Sequence, residues 1–298
     1  MEVCGKGIKV QGRLVKIARL DAEKYEFLEN PASTLVELRK CGTRIDLFTF
    51  MQGPPESEPK YSYPMEWDNL AILPVSTFEI WWTKQVDAKT RNMVRKAEKK
   101  GLELREVSFD DALVHGIWKI YNESPIRQGK PFPHFGKDSV TVHKEEATYL
   151  DRSIFIGAYL GDQLIGFIKL LCDERRNQAG MLNIVSLIEH RDKAPTNALV
   201  AQAVRACAER QIPYLVYSNF TYGKRERDTL SDFKKNNGFQ QINLPRYYVP
   251  LTSVGQFAFR LGMHRRLVEH VPESVIVKFR DLRNAWYNRK LQSSSETS

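Results

Sequence analysis

Four cysteines in 298 residues, Cys4, Cys41, Cys172 and Cys207, with no two spaced as C-x-x-C, leave this chain without the ligand pattern of a zinc site or a disulfide framework. Reduced thiols and a cytoplasmic location are the expectation. No run of roughly 18 apolar residues occurs, so no transmembrane segment is expected, and the N-terminal MEVCGKGIKVQGRLV lacks the apolar core of a signal peptide. The H-E-x-x-H zinc helix, the nucleophile elbow, the P-loop and the dinucleotide glycine pattern are all missing. No metal site is expected.

What the chain has is core and positive charge. Hydrophobic residues make up 42% and aromatics 11%, enough for one large or two ordinary domains without staples. Lysine and arginine number 45 against 36 acidic residues, a formal charge of +9 that points to an anionic partner such as a phosphate-bearing cofactor, RNA or a membrane surface. Much of it lies in WWTKQVDAKTRNMVRKAEKKG, from Trp81 to Gly101. Ser76 and Glu79 form an S-x-x-E capping box, and Gly101 stands where a left-handed residue closes a helix, so one basic linking helix is expected over 76–101. Trp82, Val86, Met93 and Ala97 supply its buried stripe, and Arg91, Arg95 and Lys99 line a polar face. That face is either a solvated surface or a polyanion-binding one.

Ahead of this helix, residues 8–19 read as one strand, 21–39 as one or two helical turns broken at Pro31, and 45–51 and 70–75 as strands. Together they make a small N-terminal α/β lobe over 1–75, or a degenerate half of a duplicated fold. After it come strand 102–107, helix 110–121, a long loop, helix 140–150, strand 154–160, a turn at Gly161-Asp162, and strands 163–172 and 180–188. Helix 195–210, strand 213–218, helix 228–237 closed by Gly238, and strand 239–249 follow. This order predicts an α/β (α+β) fold with a mixed, mostly antiparallel central sheet flanked by helices. The second domain is placed over 76–251, and a basic helical region with a polar tail over 252–298. There Val275, Phe279, Leu282 and Trp286 form a stripe that packs on the core or lies on a membrane surface.

Four motifs stand out: R-N-x-x-R-K-A-x-K-x-G from Arg91 to Gly101, IGAYLGDQLIGFIKL from Ile156 to Leu170, F-K-x-x-x-G-F from Phe233 to Phe239, and PRYYVPL from Pro245 to Leu251. Each has a mechanical reading. Gly166 permits a bulge or a close backbone approach, while Phe233 and Gly238 anchor and end a helix before the last strand. In order and content these motifs resemble the GNAT superfamily of acyl-CoA N-acyltransferases, and within it the branch of Fem-type aminoacyl transferases and related acetyltransferase-like proteins.

The resemblance implies a GNAT-like fold that moves an acyl or aminoacyl group from a CoA thioester, or an aminoacyl ester, to a small-molecule or peptide amine. The superfamily's cofactor loop is Q/R-x-x-G-x-G/A, whose glycines let backbone N–H groups cradle the pyrophosphate of acyl-CoA. The matching place here, HRDKAPTNALVAQAV from His190, has no glycine. Either Ser186, His190, Arg191, Lys193, Asn197 and the helix N-terminus hold phosphates through side chains, or the site uses aminoacyl-tRNA or another polyanion, with Arg91 and Arg95 as contacts.

Acyl transfer to an amine needs positioning, a base, an acid for the leaving group and a donor to the oxyanion. The resemblance places acceptor specificity in the loop from Tyr121 to Lys137, where Glu123 or His134 is the expected base and Arg127 a substrate contact. Tyr217 is the expected general acid or a core tyrosine. Lys234 and Arg246 contact substrate or serve the fold. The alternative to an enzyme is a non-catalytic scaffold of the same fold that binds RNA, a partner protein or a membrane through its basic helices.

Overall fold

The computed structural model describes residues 1–222 and 229–265; the expected stripe of Val275, Phe279, Leu282 and Trp286 lies outside them. The chain opens with β1 (Glu2–Val3), β2 (Lys6–Gln11), β3 (Ile17–Leu20), α1 (Pro31–Lys40), β4 (Leu47–Met51) and β5 (Met65–Pro74). Next come α2 (Phe78–Ile80), α3 (Ala88–Lys99), β6 (Leu102–Val107), α4 (Asp111–Tyr121), the short ribbon of β7 (Ile126–Arg127) and β8 (Lys130–Pro131), and α5 (Ser139–Glu146). β9 (Ser153–Leu160), β10 (Gln163–Cys172) and β11 (Ala179–Ser186) lead into α6 (Pro195–Glu209), β12 (Tyr214–Val216), α7 (Thr229–Asn236), β13 (Gln240–Pro250) and α8 (Ser253–Arg260).

All strands but β7 and β8 join one 11-stranded sheet, in the order β1-β2-β3-β4-β13-β5-β12-β11-β10-β9-β6. Its pairs are antiparallel except β3–β4 and β11–β12, the mixed sheet that the element order predicts. β5 lies between β12 and β13, so the N-terminal part of the chain supplies a strand to the middle of the sheet. β10 is buried over nine consecutive residues because helices cover both its faces, which explains its continuous apolar run. Each fully buried side chain there, such as Phe167, Ile168 or Leu170, contributes about 1.5–3 kcal/mol.

Three local expectations need correction. Residues 8–19 form a hairpin and not one strand, because Gly12 turns the chain with a φ of 103°, where a Cβ would lie 2.0 Å from the Val15 carbonyl oxygen. Pro31 starts a helix instead of breaking one: it occupies the first turn of α1, where its missing N–H costs nothing, and the Asn30 side chain accepts from Ser33 N–H at 3.3 Å.

The basic segment is two helices, not one. Thr77, not Ser76, caps α2, accepting from Ile80 N–H at 3.1 Å. A single π-helical turn over Trp81–Gln85 follows, then Val86 goes extended at ψ 140° and Asp87 caps α3, accepting from Thr90 N–H at 2.6 Å. The break is pulled onto α7, where Trp81 Nε1 donates to Asn237 O at 2.9 Å and Asp87 N to Asn236 O at 3.0 Å. The interruption changes the helical phase, so Trp81, Val86, Thr90, Val94 and Ala97 are buried while Trp82 and Met93 are half-buried. Gly101 adopts a φ of 75°, as expected of a helix-closing glycine.

Candidate active site

The site arises where two parallel strands part company. β11 and β12 pair only at Ala179–Leu215 and Gly180–Val216. Beyond Val216 the chain keeps only its pairing with β5: Tyr217 N donates to Ala71 O at 2.9 Å and Ala71 N to Ser218 O at 2.8 Å. β11 runs on to Ser186, and a cleft of about 480 Å³ opens between them, with α6 at its end. Arg127, Ser186, Arg191, Asn197 and Tyr217 line it together with Phe132, Thr196 and Phe233, so five of the expected site residues share one cavity. Gly166 sits under this edge at a register shift in β10, where a Cβ would meet Ser186 Cβ at 3.0 Å and Leu199 at 3.3 Å.

Glu123 is behind the cleft wall and fully engaged. Its carboxylate accepts from the backbone N–H of Ile188 at 2.7 and 2.8 Å and of Glu189 at 3.1 Å, and from Arg127 Nη2 at 2.9 Å. Arg127 in turn donates to Ser186 O and Ile120 O, both at 2.6 Å, and lies over the Phe132 ring at 4.6 Å. Burial lowers the Arg127 pKa, Glu123 opposes that, and the nearby Arg191 adds to it. The pair ties α4, the end of β11 and the loop into α6 into one unit.

Tyr217 presents its ring to the cleft. Burial, and secondarily Tyr222, push its hydroxyl above the ordinary tyrosine range, so at neutral pH it is a proton donor. Beneath it Lys234 is fully buried, donates to Asn219 O, and places Nζ 4.5 Å from the Tyr217 ring and 5.0 Å from that of Tyr222. Of the two expectations for Lys234, substrate contact or service to the fold, the buried position and the bond to Asn219 O fit the second.

His134 lies one layer behind Phe132, with 5.2 Å between ring centroids, and stacks on Tyr121 at 4.2 Å. Burial, then Lys137, hold its pKa below the ordinary 6.5, so the ring is neutral at pH 7. Tyr121 leads to a buried cluster that composition could not reveal. Glu146 accepts from Tyr121 Oη and Asn183 Nδ2, both at 2.8 Å, while Lys169, on the central strand, donates to Glu146 O at 2.7 Å and Thr148 O at 2.8 Å. Its members are scattered over α4, α5, β10 and β11, and a lysine within an apolar run was the available signal.

The loop into α6 does not fit a backbone cradle for the diphosphate of coenzyme A. Ile188 and Glu189 N–H go to Glu123, and those of Arg191, Lys193 and Ala194 go to Ile188 O, His190 O and Arg191 O within a 3₁₀ turn. Ala194 takes a left-handed φ of 54° where the superfamily pattern has glycine, and Pro195 has no N–H to offer. His190 and Lys193 lie off the cleft lining, bonded to each other at 3.1 Å. What remains for an anion is the Arg191 side chain, the Ser186–Thr196 hydroxyl pair at 3.2 Å, and the first turn of α6 at Thr196 and Asn197.

The other expected contacts sit elsewhere. Arg246 bonds Asp68 through Nε at 2.9 Å and Nη2 at 2.8 Å, and also bonds Glu23; burial works against its charge, and the two carboxylates more than offset that. Arg91 donates to Trp82 O at 3.2 Å and Val86 O at 2.6 Å, closing the interrupted helix. Arg95 stacks on Trp82 at 5.5 Å on the outer face. Among the described residues no group of His, Cys, Asp and Glu could hold a metal, and no helix is long and apolar enough to cross a membrane.

The splayed parallel pair within an otherwise antiparallel stretch, with a helix starting at the opening, defines a GNAT-like fold. No family model and no curated protein matches the chain in sequence. Among solved structures it is similar to L-PGS from Bacillus licheniformis, 12% identical over 87% of this chain and 86% of that one, with a TM-score of 0.55. It is also similar to the C-terminal domain of a putative lysylphosphatidylglycerol synthetase from Agrobacterium fabrum (13%, 85% and 82%, TM-score 0.53) and to FemX (13%, 79% and 72%, TM-score 0.52).

Proposed function

We propose that this protein is an acyltransferase that moves an acyl or aminoacyl group from an ester donor with an anionic tail to an amine acceptor in the β11–β12 cleft. The observation that carries this reading is the pairing, in one cavity, of a protonated tyrosine, Tyr217, with two arginines, Arg127 and Arg191. As the amine attacks the donor carbonyl, charge develops on the carbonyl oxygen and then on the leaving oxygen. The guanidinium groups stabilise the first, and the Tyr217 hydroxyl gives its proton to the second. The ammonium proton leaves to water in the cleft, and neutral His134, behind Phe132, is the nearest candidate to receive it if that water reaches past the ring. Glu123 is a positioning residue for Arg127 and the loop, since its carboxylate already accepts from four N–H contacts.

The donor's tail rests on side chains, because the backbone cradle is missing. Arg191 and the first turn of α6 receive the nearest phosphate, and an RNA tail would continue over the basic outer face of α3, where Arg95 lies. A lysylphosphatidylglycerol synthetase among the similar structures supports aminoacyl over acetyl transfer. The test is transfer of radiolabelled amino acid from a panel of aminoacyl-tRNAs to small amines and peptides, run beside a panel of acyl-CoAs. Transfer that is lost in Tyr217→Phe supports the proposal; turnover of an acyl-CoA alone would replace the ester donor with a thioester, and no transfer from any donor would favour a binding scaffold.

A further inference from the structure

The β11–β12 cleft has walls of two kinds, apolar and cationic. Five half-buried apolar side chains face into it: Phe132 from the loop after β8, Ile184 and Val185 from β11, and Leu230 and Phe233 from α7. They come from three separate elements, and each keeps surface that the fold does not cover. Covering that surface is the main favourable term open to a ligand with a hydrocarbon portion.

Both charged side chains that line the cleft among the described residues are arginines. Arg127 is held by Glu123, Ser186 O and Ile120 O, with its guanidinium over the Phe132 ring at 4.6 Å. Arg191 is exposed at the start of the turn into α6 and near enough to depress the Arg127 pKa, so the two positive fields overlap at the cleft. The neighbouring carboxylates are engaged outside it. Glu123 accepts from the Ile188 and Glu189 N–H groups, Glu189 bonds His190 at 3.2 Å, and Asp192 pairs with Lys193 at 3.5 Å. An acceptor amine enters this field as an ammonium and sheds its proton before it attacks, a loss that nearby positive charge favours. A lysyl side chain on the acyl group would instead carry its charge in beside like charges and apolar walls. An uncharged hydrocarbon side chain meets neither cost and gains the uncovered surface.

We propose, resting on the reading of this cleft as the transfer site, that the acyl group it takes carries an uncharged, apolar side chain seated against Ile184, Val185, Leu230 and Phe233, and that a cationic one such as lysyl is rejected. The probes are N-acetyl-norleucine amide and N-acetyl-lysine amide, whose side chains match over their carbon chain and differ by the terminal ammonium. Each is titrated into the whole protein, with the methyl NMR signals of Ile184, Val185 and Leu230 as the readout. The norleucine probe is expected to shift all three and to bind roughly ten-fold or more tightly than the lysine probe. Leu230→Glu, at a half-buried position in the first turn of α7, is expected to reverse that order, and Arg191→Gln to narrow it by about three-fold. The titration needs neither donor nor turnover. A preference for norleucine in a protein that transfers nothing would therefore sustain the apolar site while removing the acyltransferase reading. Equal or tighter binding of the lysine probe, no shift from either probe up to about 20 mM, or an order left unchanged in a folded Leu230→Glu protein would overturn the proposal.

Discussion

Both carboxylate oxygens of Glu123 accept the backbone N–H of Ile188, at 2.7 and 2.8 Å, across 65 positions of sequence. A loop without glycine is thereby held in shape by a carboxylate just past the end of α4. Glu123→Gln keeps the size of the side chain but replaces one acceptor oxygen with a donor facing N–H groups. The expected loss is about 2–3 kcal/mol in urea unfolding, the scale of a charge-assisted hydrogen bond left unmade. Amide exchange at Ile188 and Glu189 should accelerate well beyond the change at Phe167. Unchanged exchange at those two amides would show that the carboxylate does not hold the loop.

Tyr217 and Lys234 can be separated by their effects. Tyr217→Phe removes only the hydroxyl and should leave the melting temperature nearly unchanged while lowering kcat by about 10²–10⁴-fold, the span of a lost general acid. Lys234→Met removes a buried cation that bonds Asn219 O, and should cost about 2–4 kcal/mol of stability. Comparable kcat for wild type and Tyr217→Phe would remove the tyrosine from the chemistry.

Much of the sheet could be read from short-range signals, and little of the site could. The hairpin from Ile156 to Leu170 is marked by Gly161, whose φ of 59° makes the turn, and Gly166 stands at a register shift, as its lack of a side chain suggests. By contrast, β5 enters the sheet between β12 and β13 through pairs such as Leu73–Leu215, which no local periodicity encodes. The single basic helix failed because Asp87 is both an acceptable helix residue and a good N-cap, and its pairing with Asn236 O decides between them. Arg127, Arg191 and Tyr217 line one cleft, and their places in the long loop, the cofactor loop and the strand after the cofactor helix follow from the family resemblance and not from local periodicity. The engagement of Glu123 with Ile188 and the burial of Glu146 against Lys169 depend on tertiary contacts that residue type does not reveal.

Acid stability should report the ion pair of Asp68 with Arg246. Burial opposes the charge on Asp68, but Arg246, Lys24 and the Asn69 N–H outweigh it and hold the carboxyl below its ordinary 3.8. A depressed folded-state value means that the stabilisation is fully present above pH 3.8 and is lost as pH falls toward the folded value. Melting temperature measured from pH 6 to pH 2 should therefore fall in the lowest part of that range, and the fall should be shallower in Asp68→Asn. Parallel curves would place acid sensitivity on other carboxylates.

Gly166→Ala tests how closely β10 supports the cleft edge. The added methyl would stand 3.0 Å from Ser186 Cβ and 3.3 Å from Leu199, closer than van der Waals contact allows, and both neighbours are buried. Overpacking of this kind costs about 1–3 kcal/mol, and the strain should push Ser186 and the start of α6 apart. The Ser186–Thr196 hydroxyl contact would open, so donor KM should rise more than kcat falls.

The pH dependence of transfer should separate His134 from other bases. Its pKa is held below 6.5 by burial and by Lys137, so the unfolded chain takes the proton more readily than the folded one. Stability contributed by neutral His134 is present above pH 6.5 and declines as pH falls from there through the folded-state value. A proton titration followed by NMR should show the His134 ring changing below pH 6.5, with its midpoint rising in Lys137→Met as the repelling ammonium is removed. The acidic limb of kcat should move upward by the same amount in that variant if His134 accepts the amine's proton. A limb that stays fixed while the NMR midpoint moves would assign the proton to another group and leave His134 as a packing residue against Tyr121.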